Sequence, residues 1–428
     1  MIGPSNKDIV RDARALALRV PEARSLDLEP VTDRGVGIIV SPWRNDGAFV
    51  PHNLHRMMSR VGGFPPALAR YFIAGYSKPG DVVLDPFCGK GTALLEAVAL
   101  CRHAIGGDIA PDAVIVSRAK CIAVSIASIA NYIEGLKIDR RCSLRFVPPN
   151  VALFYSRSTL TELMSVRRQI LEDMKNRSRR DAATFAAAVM LGLLHGHSKL
   201  ALSLPCNQAF AMSPNYVRRY VADHRLKKPD RDVRKCLLQR ALELLPAPRV
   251  STEAKIFEAP AEDCQAYVKK TVGKVQLIVT SPPYLNRQTY IKDSWLRMWF
   301  LGRNRAELAE KTLETGNVVA FVDGLKDAIG AMTRCLDVGG RLVLVCGRAR
   351  VSVGGKDRPV RVGELCLYAL DQLADKKTVT VEQVIVDKKL MVRGSYFAVH
   401  RGQVSSQNGQ NHRRYGEDEI LVLRKTKS

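Results

Sequence analysis

None of the ten cysteines pairs with another as Cys-x-x-Cys, and no His-rich tract accompanies them, so neither a zinc site nor a disulfide framework is indicated. Thiols scattered this way fit a reducing cytoplasm. Acidic residues are few beside basic ones: 42 Asp and Glu face 66 Lys and Arg, leaving a formal charge of +24. Such an excess implies a polyanionic partner. No apolar run reaches the length of a membrane span, so nucleic acid is the better match. The first twenty residues mix charges throughout and lack an apolar core before a small-residue cleavage site, so no secretory signal is expected. Internal repeats are absent as well. With 46% hydrophobic residues over 428 positions, the chain can still bury a large core and form two or more domains.

The most informative stretch is Thr280-Ser281-Pro282-Pro283-Tyr284, which follows the apolar run Val275-Gln276-Leu277-Ile278-Val279. A short β-branched run closed by two prolines reads as a buried strand that ends abruptly, because neither proline can donate to a sheet ladder. The residues after it project from a carboxyl end of the sheet, where open α/β sheets bind ligands. The Ser281 hydroxyl and the Pro282 carbonyl become aimed acceptors, with the Tyr284 ring beside them. Acceptors next to an aromatic face suit a planar base bearing an exocyclic amine.

A second motif lies upstream. The strand Asp81-Val82-Val83-Leu84-Asp85 opens onto Pro86-Phe87-Cys88-Gly89-Lys90-Gly91-Thr92, and a helix is expected over 93–100. A further strand over 104–109 ends in Gly106-Gly107-Asp108-Ile109. Gly89 and Gly91 let backbone approach a ligand closely. Asp108 stands 23 positions after Asp85, about where the acid closing a second strand bonds ribose hydroxyls. Asp85 and Phe87 in front of the glycines depart from a dinucleotide fingerprint, since an acid there repels pyrophosphate. A ligand with a ribose and a cationic amino-acid end but no phosphate fits better, and S-adenosylmethionine is such a ligand.

Together, the Asp85 to Thr92 motif and the Thr280 to Tyr284 motif resemble those of the DNA amino-methyltransferases, especially the cytosine-N4 type. The resemblance extends to Phe64-Pro65-Pro66, to Gly339-Gly340-Arg341 and to the closing residues 417–425, covering roughly 52–120 and 254–425. It implies an α/β, Rossmann-like methyltransferase sheet with helices on both faces. It also implies S-adenosylmethionine held by Asp85, Pro86, Phe87, Cys88, Gly89, Gly91, Thr92, Asp108 and Ile109, and a flipped base held by Ser281, Pro282, Pro283 and Tyr284. Implied partners are double-stranded DNA and, where such an enzyme is half of a restriction-modification pair, a cognate restriction endonuclease; no membrane and no metal are called for. A nucleoid-associated place in the cytoplasm follows. Departures from the pattern are Lys90, where a small residue is common, Ala93 in a usual Gly-Thr-Thr ending, and Ala259-Pro260, where a Gly-Asp pair often contacts the adenine. Three readings compete: methylation of adenine N6, methylation of a base amine in RNA, and nucleic-acid binding with an inactive site.

The third strand is either 254–257 or 144–147. Helical periodicity dominates from 110 to 252, with Leu160, Leu163, Met164, Ile170, Leu171 and Met174 at three- and four-residue spacing. Residues 151–250 hold 18 Lys and Arg against 8 Asp and Glu, dense around Arg179, Arg180, Arg218, Arg219, Lys227 and Lys228, with Tyr216 and Tyr220 interleaved. This reads as an inserted helical domain contacting phosphates. The resulting division is an extension over 1–50, a cofactor half over 51–145, the insertion over 146–252 and a catalytic half over 253–428. Trp295 and Trp299, four apart on an expected helix, suit core packing. A basic glycine-containing loop with Arg348 and Arg350 follows the strand 341–346. Residues 379–386 and 419–424 look like a terminal antiparallel pair separated by a mobile polar loop over 401–414. His195-Gly196-His197 has no acidic or cysteine neighbours that would make it a metal site.

Overall fold

The computed structural model describes residues 9, 11–12, 30–33, 36–39, 52–60, 63–196, 198–205, 213–245, 252–283, 285, 294–304, 315, 317–353, 356–391 and 414–427. The expected mobile loop over 401–414, except its last residue, and most of the extension over 1–50 lie outside them. Ile9 is buried in the core of the main sheet, and an antiparallel pair, β1 (Pro30–Asp33) and β2 (Val36–Ile39), follows.

The short apolar runs form one seven-stranded sheet. Its members are β3 (Val82–Asp85), β4 (His103–Asp108), β5 (Ala254–Glu258), β6 (Val275–Thr280), β7 (Leu336–Cys346), β10 (Val379–Met391) and β11 (Arg414–Lys425). β3 to β7 pair in parallel, β11 lies antiparallel to β7, and β10 antiparallel to β11. The order is β10-β11-β7-β6-β3-β4-β5. From β3 the chain moves outward to β4 and β5, then returns past β3 to build β6 and β7. The winding therefore reverses between β3 and β6, and at such a switch point the neighbouring loops part and leave a crevice. This is the Rossmann-like methyltransferase sheet expected above, its terminal antiparallel pair included.

Alternation along the strands supplies two cores. Leu84, Ile105, Ile278 and Leu342 enter one, under the helices Cys264–Thr271, Val318–Cys335 and Val362–Asp371. Val83, Ala104, Leu277 and Val343 enter the other, under Pro66–Tyr76 and Thr92–Ala99. A period of two with both faces buried is what a parallel sheet requires. Between β4 and β5 stand the helix Pro111–Cys121 and, among the described residues, six more: Ile126–Glu134, Pro149–Ala152, Arg157–Asp173, Arg180–Leu193, Pro214–His224 and Val233–Leu244. Their core takes in Ile115, Val116 and Ala119 of the first helix and Leu95 of Thr92–Ala99. The helical layer thus begins ahead of residue 146 and shares its packing with the sheet's own helices. None of the described helices is long and apolar enough to cross a membrane.

Among the local expectations, the third strand takes one of its two candidate positions, the tryptophans pack as expected, and the basic loop changes. The third strand is β5, while residues 144–147 close a turn in which the Val147 N–H donates to the Leu144 carbonyl at 3.0 Å. The basic segment after β7 is a hairpin rather than a loop, β8 (Arg348–Val353) pairing with β9 (Lys356–Arg361), because β-branched valines alternate with its charges. Trp295 and Trp299 both pack against the helical core.

Candidate active site

The turn after β3 is built against the helix that follows β4. Gly91 adopts φ +69°, and a Cβ there would lie 2.6 Å from the Ser117 hydroxyl and 3.0 Å from the Ser117 Cα, so only glycine fits. The Ser117 hydroxyl donates to the Gly89 carbonyl at 3.1 Å, and the buried Lys120 ammonium donates to the Lys90 carbonyl at 2.5 Å. Burial pulls the Lys120 pKa down to about 7. Beneath the turn, the buried Glu96 carboxylate meets His55 Nε2 at 2.7 Å and accepts from Arg70 at 3.1 Å. Ser117 and Lys120 thus hold two carbonyls of the turn, those of Gly89 and Lys90.

Asp108 closes β4 with both oxygens engaged: the Gly89 N–H donates to Oδ2 and the Ala110 N–H to Oδ1, each at 2.8 Å. Each carboxylate oxygen keeps a second lone pair for another donor. Burial pushes the Asp108 pKa up, opposed chiefly by the Arg60 guanidinium. Pro86, Cys88 and Thr92 are buried, while Phe87, Gly89 and Ile109 are partly exposed. The Thr92 hydroxyl, at the start of its helix, is buried with no hydrogen-bond partner among the described residues.

Across the switch point, the Thr280 hydroxyl at the end of β6 donates to Asp85 Oδ1 at 2.6 Å, and the Phe87 N–H donates to the same oxygen at 3.2 Å. This bond joins the two motifs, 195 residues apart in the chain. Asp85 is 1% exposed, and burial pushes its pKa up to about 7. Ser281, partly exposed, donates its hydroxyl proton to the Val345 carbonyl on β7 at 2.8 Å. With that proton committed, the lone pairs of its oxygen remain to accept. Pro282 is buried and Pro283 partly exposed; Tyr284 lies outside the described residues.

A set of ion pairs that no motif announces clamps the rim beyond β4. Asp112, fully buried, accepts from Arg60 at 3.0 Å on each oxygen and lies 3.6 Å from Arg297. Those two cations hold its pKa down against burial. Arg297 sits on the helix Trp295–Leu301, and Arg303 just beyond that helix pairs with Glu258 at the end of β5. The helix after the Pro-Pro turn is therefore fastened alongside Asp108 at two points.

The basic candidates divide. Arg218 donates to Asn215 and Asn150 at 2.9 and 3.0 Å, and Lys228 to the Ala152 carbonyl at 2.8 Å, while Arg219 and Lys227 are exposed on the same part of the insertion. Arg179 pairs with Asp173, and Arg180 begins the helix Arg180–Leu193, roughly 20 Å along that helix from His195. Arg348 and Arg350 lie on β8 opposite Arg361 and Pro359. His195 is buried, bonded to Ser203 at 2.7 Å and packed edge-on against Phe154. Among the described residues no group of three or more His, Cys, Asp or Glu could hold a metal ion.

Comparison with known proteins places one segment of the chain. A family model described as DNA methylase, of the N6/N4 type, matches residues 51–118. The Type II methyltransferase M.MjaII of Methanocaldococcus jannaschii is 32% identical over 68 residues, 16% of this chain and 13% of that protein. M.MjaI of the same organism is 44% identical over 50 residues, 12% of this chain and 16% of that one. The matched stretches thus span less than a fifth of either relative. Among solved structures, TrmN from Thermus thermophilus aligns with a TM-score of 0.32 at 12% identity, over 87% of this chain and 52% of that one. Over the segment that contains Asp85, the glycine turn and Asp108, the chain is similar to the N6/N4 DNA methylases.

Proposed function

We propose that this chain is an S-adenosylmethionine-dependent methyltransferase that modifies the exocyclic N4 amine of a cytosine flipped out of duplex DNA. The donor set suits that cofactor. Asp108 has lone pairs left for ribose hydroxyls, and the Thr92 hydroxyl, unpartnered among the described residues, and the Asp85 acid would suit a polar amino-acid end. The Gly89 N–H, which a phosphate would need, is already given to Asp108. When bound, S-adenosylmethionine supplies an electrophilic methyl group on a good leaving group.

The observation that carries the reading is the Ser281 bond to the Val345 carbonyl beside the Thr280–Asp85 bond. A base amine is a weak nucleophile because its lone pair is delocalised into the ring. An acceptor that takes one of its hydrogens favours a pyramidal nitrogen and stabilises the positive charge that develops there. Ser281 is prepared for this role: its own proton is committed to β7, so its oxygen faces the amine as an acceptor. The Pro282 carbonyl is the second acceptor in this mechanism, and Tyr284 the ring on which the base stacks. Unpairing the base costs a few kcal/mol, roughly, which those interactions offset in part. No covalent enzyme intermediate is needed, so buried thiols such as Cys88 take no part.

Ser281→Ala keeps the shape of the turn and deletes the acceptor. Methyl transfer from labelled cofactor to duplex DNA should slow by about 1–2 kcal/mol, roughly five- to thirtyfold, with cofactor and DNA affinities almost unchanged. An unaltered rate would demote Ser281 to a turn residue and leave the Pro282 carbonyl as the acceptor.

A further inference from the structure

One side chain on the helical insertion has no place in the chemistry above. Phe146 is 87% exposed, far more than any other large hydrophobic residue described. Its turn is firmly built. Leu144 and Val147 on either side pack into the helical core, as does Ile138. The Cys142 N–H donates to the Asp139 carbonyl at 3.1 Å, and the Asp139 N–H to the Ser165 hydroxyl at 2.9 Å. Pro148 and Pro149 then stiffen the exit into the helix Pro149–Ala152. A ring left in water between two anchored neighbours, on a turn that cannot fold it away, is a projecting wedge.

Its surroundings select the partner. Residues 137–145 carry Lys137, Arg140, Arg141 and Arg145 against the single acid Asp139, and the Arg145 guanidinium lies 5.5 Å over the Phe146 ring. Asn150, four residues further on, accepts from Arg218 of the helix Pro214–His224. That helix bears an aromatic ladder: Tyr216 stacks on Tyr220 at 5.7 Å, and Tyr220 on His224 at 4.0 Å. The same segment reaches the catalytic rim, since Phe154 packs against Trp295 at 5.7 Å, two residues from the Arg297 that holds Asp112. A projecting apolar ring among arginines, joined by packing to the rim, matches the way proteins insert side chains between base steps while neighbouring cations hold the phosphates.

We propose that Phe146 is a wedge that enters the stack of a bound DNA duplex, with Arg140, Arg141 and Arg145 on the flanking phosphates. This rests on the reading of the chain as a DNA methyltransferase and names an interaction that reading did not include. A ring inserted between base pairs unwinds the helix, so the test needs no knowledge of the preferred sequence. Closed circular plasmid is relaxed by a topoisomerase in the presence of the full-length protein, and the topoisomers are resolved after the protein is removed. The wild type should shift the distribution toward unwinding. Phe146→Ala should abolish that shift and weaken binding about tenfold, with the slope of affinity against salt unchanged because no charge is lost. Phe146→Trp should keep the shift. An equal shift with Phe146→Ala, or none with the wild type at saturation, overturns the wedge. Methyl transfer to the same plasmid is measured in parallel: methylation without a shift defeats the wedge alone, and a shift without methylation defeats the methyltransferase reading alone.

Discussion

Asp85 sets the acid-base behaviour of the crevice. Burial raises its pKa from 3.8 to about 7, and its bonds with Thr280 and the Phe87 amide recover only part of the cost of ionising it. Between about pH 4 and pH 7 the unfolded chain has released this proton while the folded one keeps it. The native state then binds more protons, so rising pH favours unfolding across that window and has no further effect above it. Asp85→Asn keeps an acceptor for Thr280 and has no proton to lose. Its stability should lack the wild-type decline between about pH 4 and pH 7, as measured by chemical denaturation; equal declines in the two proteins would clear Asp85. The proposed position of Asp85 near the cationic end of the cofactor adds a second readout. Affinity for S-adenosylmethionine relative to S-adenosylhomocysteine, which lacks the sulfonium charge, should rise through pH 7 in the wild type and stay level in the variant. Of this chemistry the sequence announced the acid and its motif. It was silent on the Thr280 bond, because the two groups are 195 residues apart and only the switch in strand order makes them neighbours.

At the scale of elements, the turn after β3 is the least replaceable piece of the site. Gly91 needs both its left-handed backbone and its missing Cβ, so Gly91→Ala should destabilise the protein by about 2–4 kcal/mol, through backbone strain and displacement of Ser117. Thermal or urea unfolding would measure this. A change below half a kcal/mol, roughly, would mean that the helix Pro111–Cys121 yields easily. Strands of this region were legible because β3, β4 and β6 are short apolar runs bounded by Gly or Pro. β5 was legible only as one of two candidates, since it is an edge strand in which only Ile256 is buried, and residues 144–147 offer as many apolar side chains. The β8–β9 hairpin was hidden by its charges. The clamp of Arg60, Asp112, Arg297, Arg303 and Glu258 was illegible for another reason: ion pairs between distant segments leave no periodicity.

For the whole molecule, charge sets how nucleic acid is held. Arg218 is braced by two asparagines and Arg219 stands exposed beside it. Neutralising both with glutamine should lower the slope of log affinity against log salt by up to about two, one for each phosphate that no longer meets a cation. An unchanged slope in a filter-binding or anisotropy series would mark this stretch as a solvated face and move attention to Arg348 and Arg350. The central claim, however, concerns the product. Duplex DNA is incubated with the purified protein and S-adenosylmethionine carrying a heavy methyl group, digested to nucleosides and analysed by mass spectrometry. The proposed chemistry predicts the label in N4-methylcytosine; finding it in 5-methylcytosine would contradict the amine mechanism outright, and finding it in N6-methyladenine would contradict the choice of base.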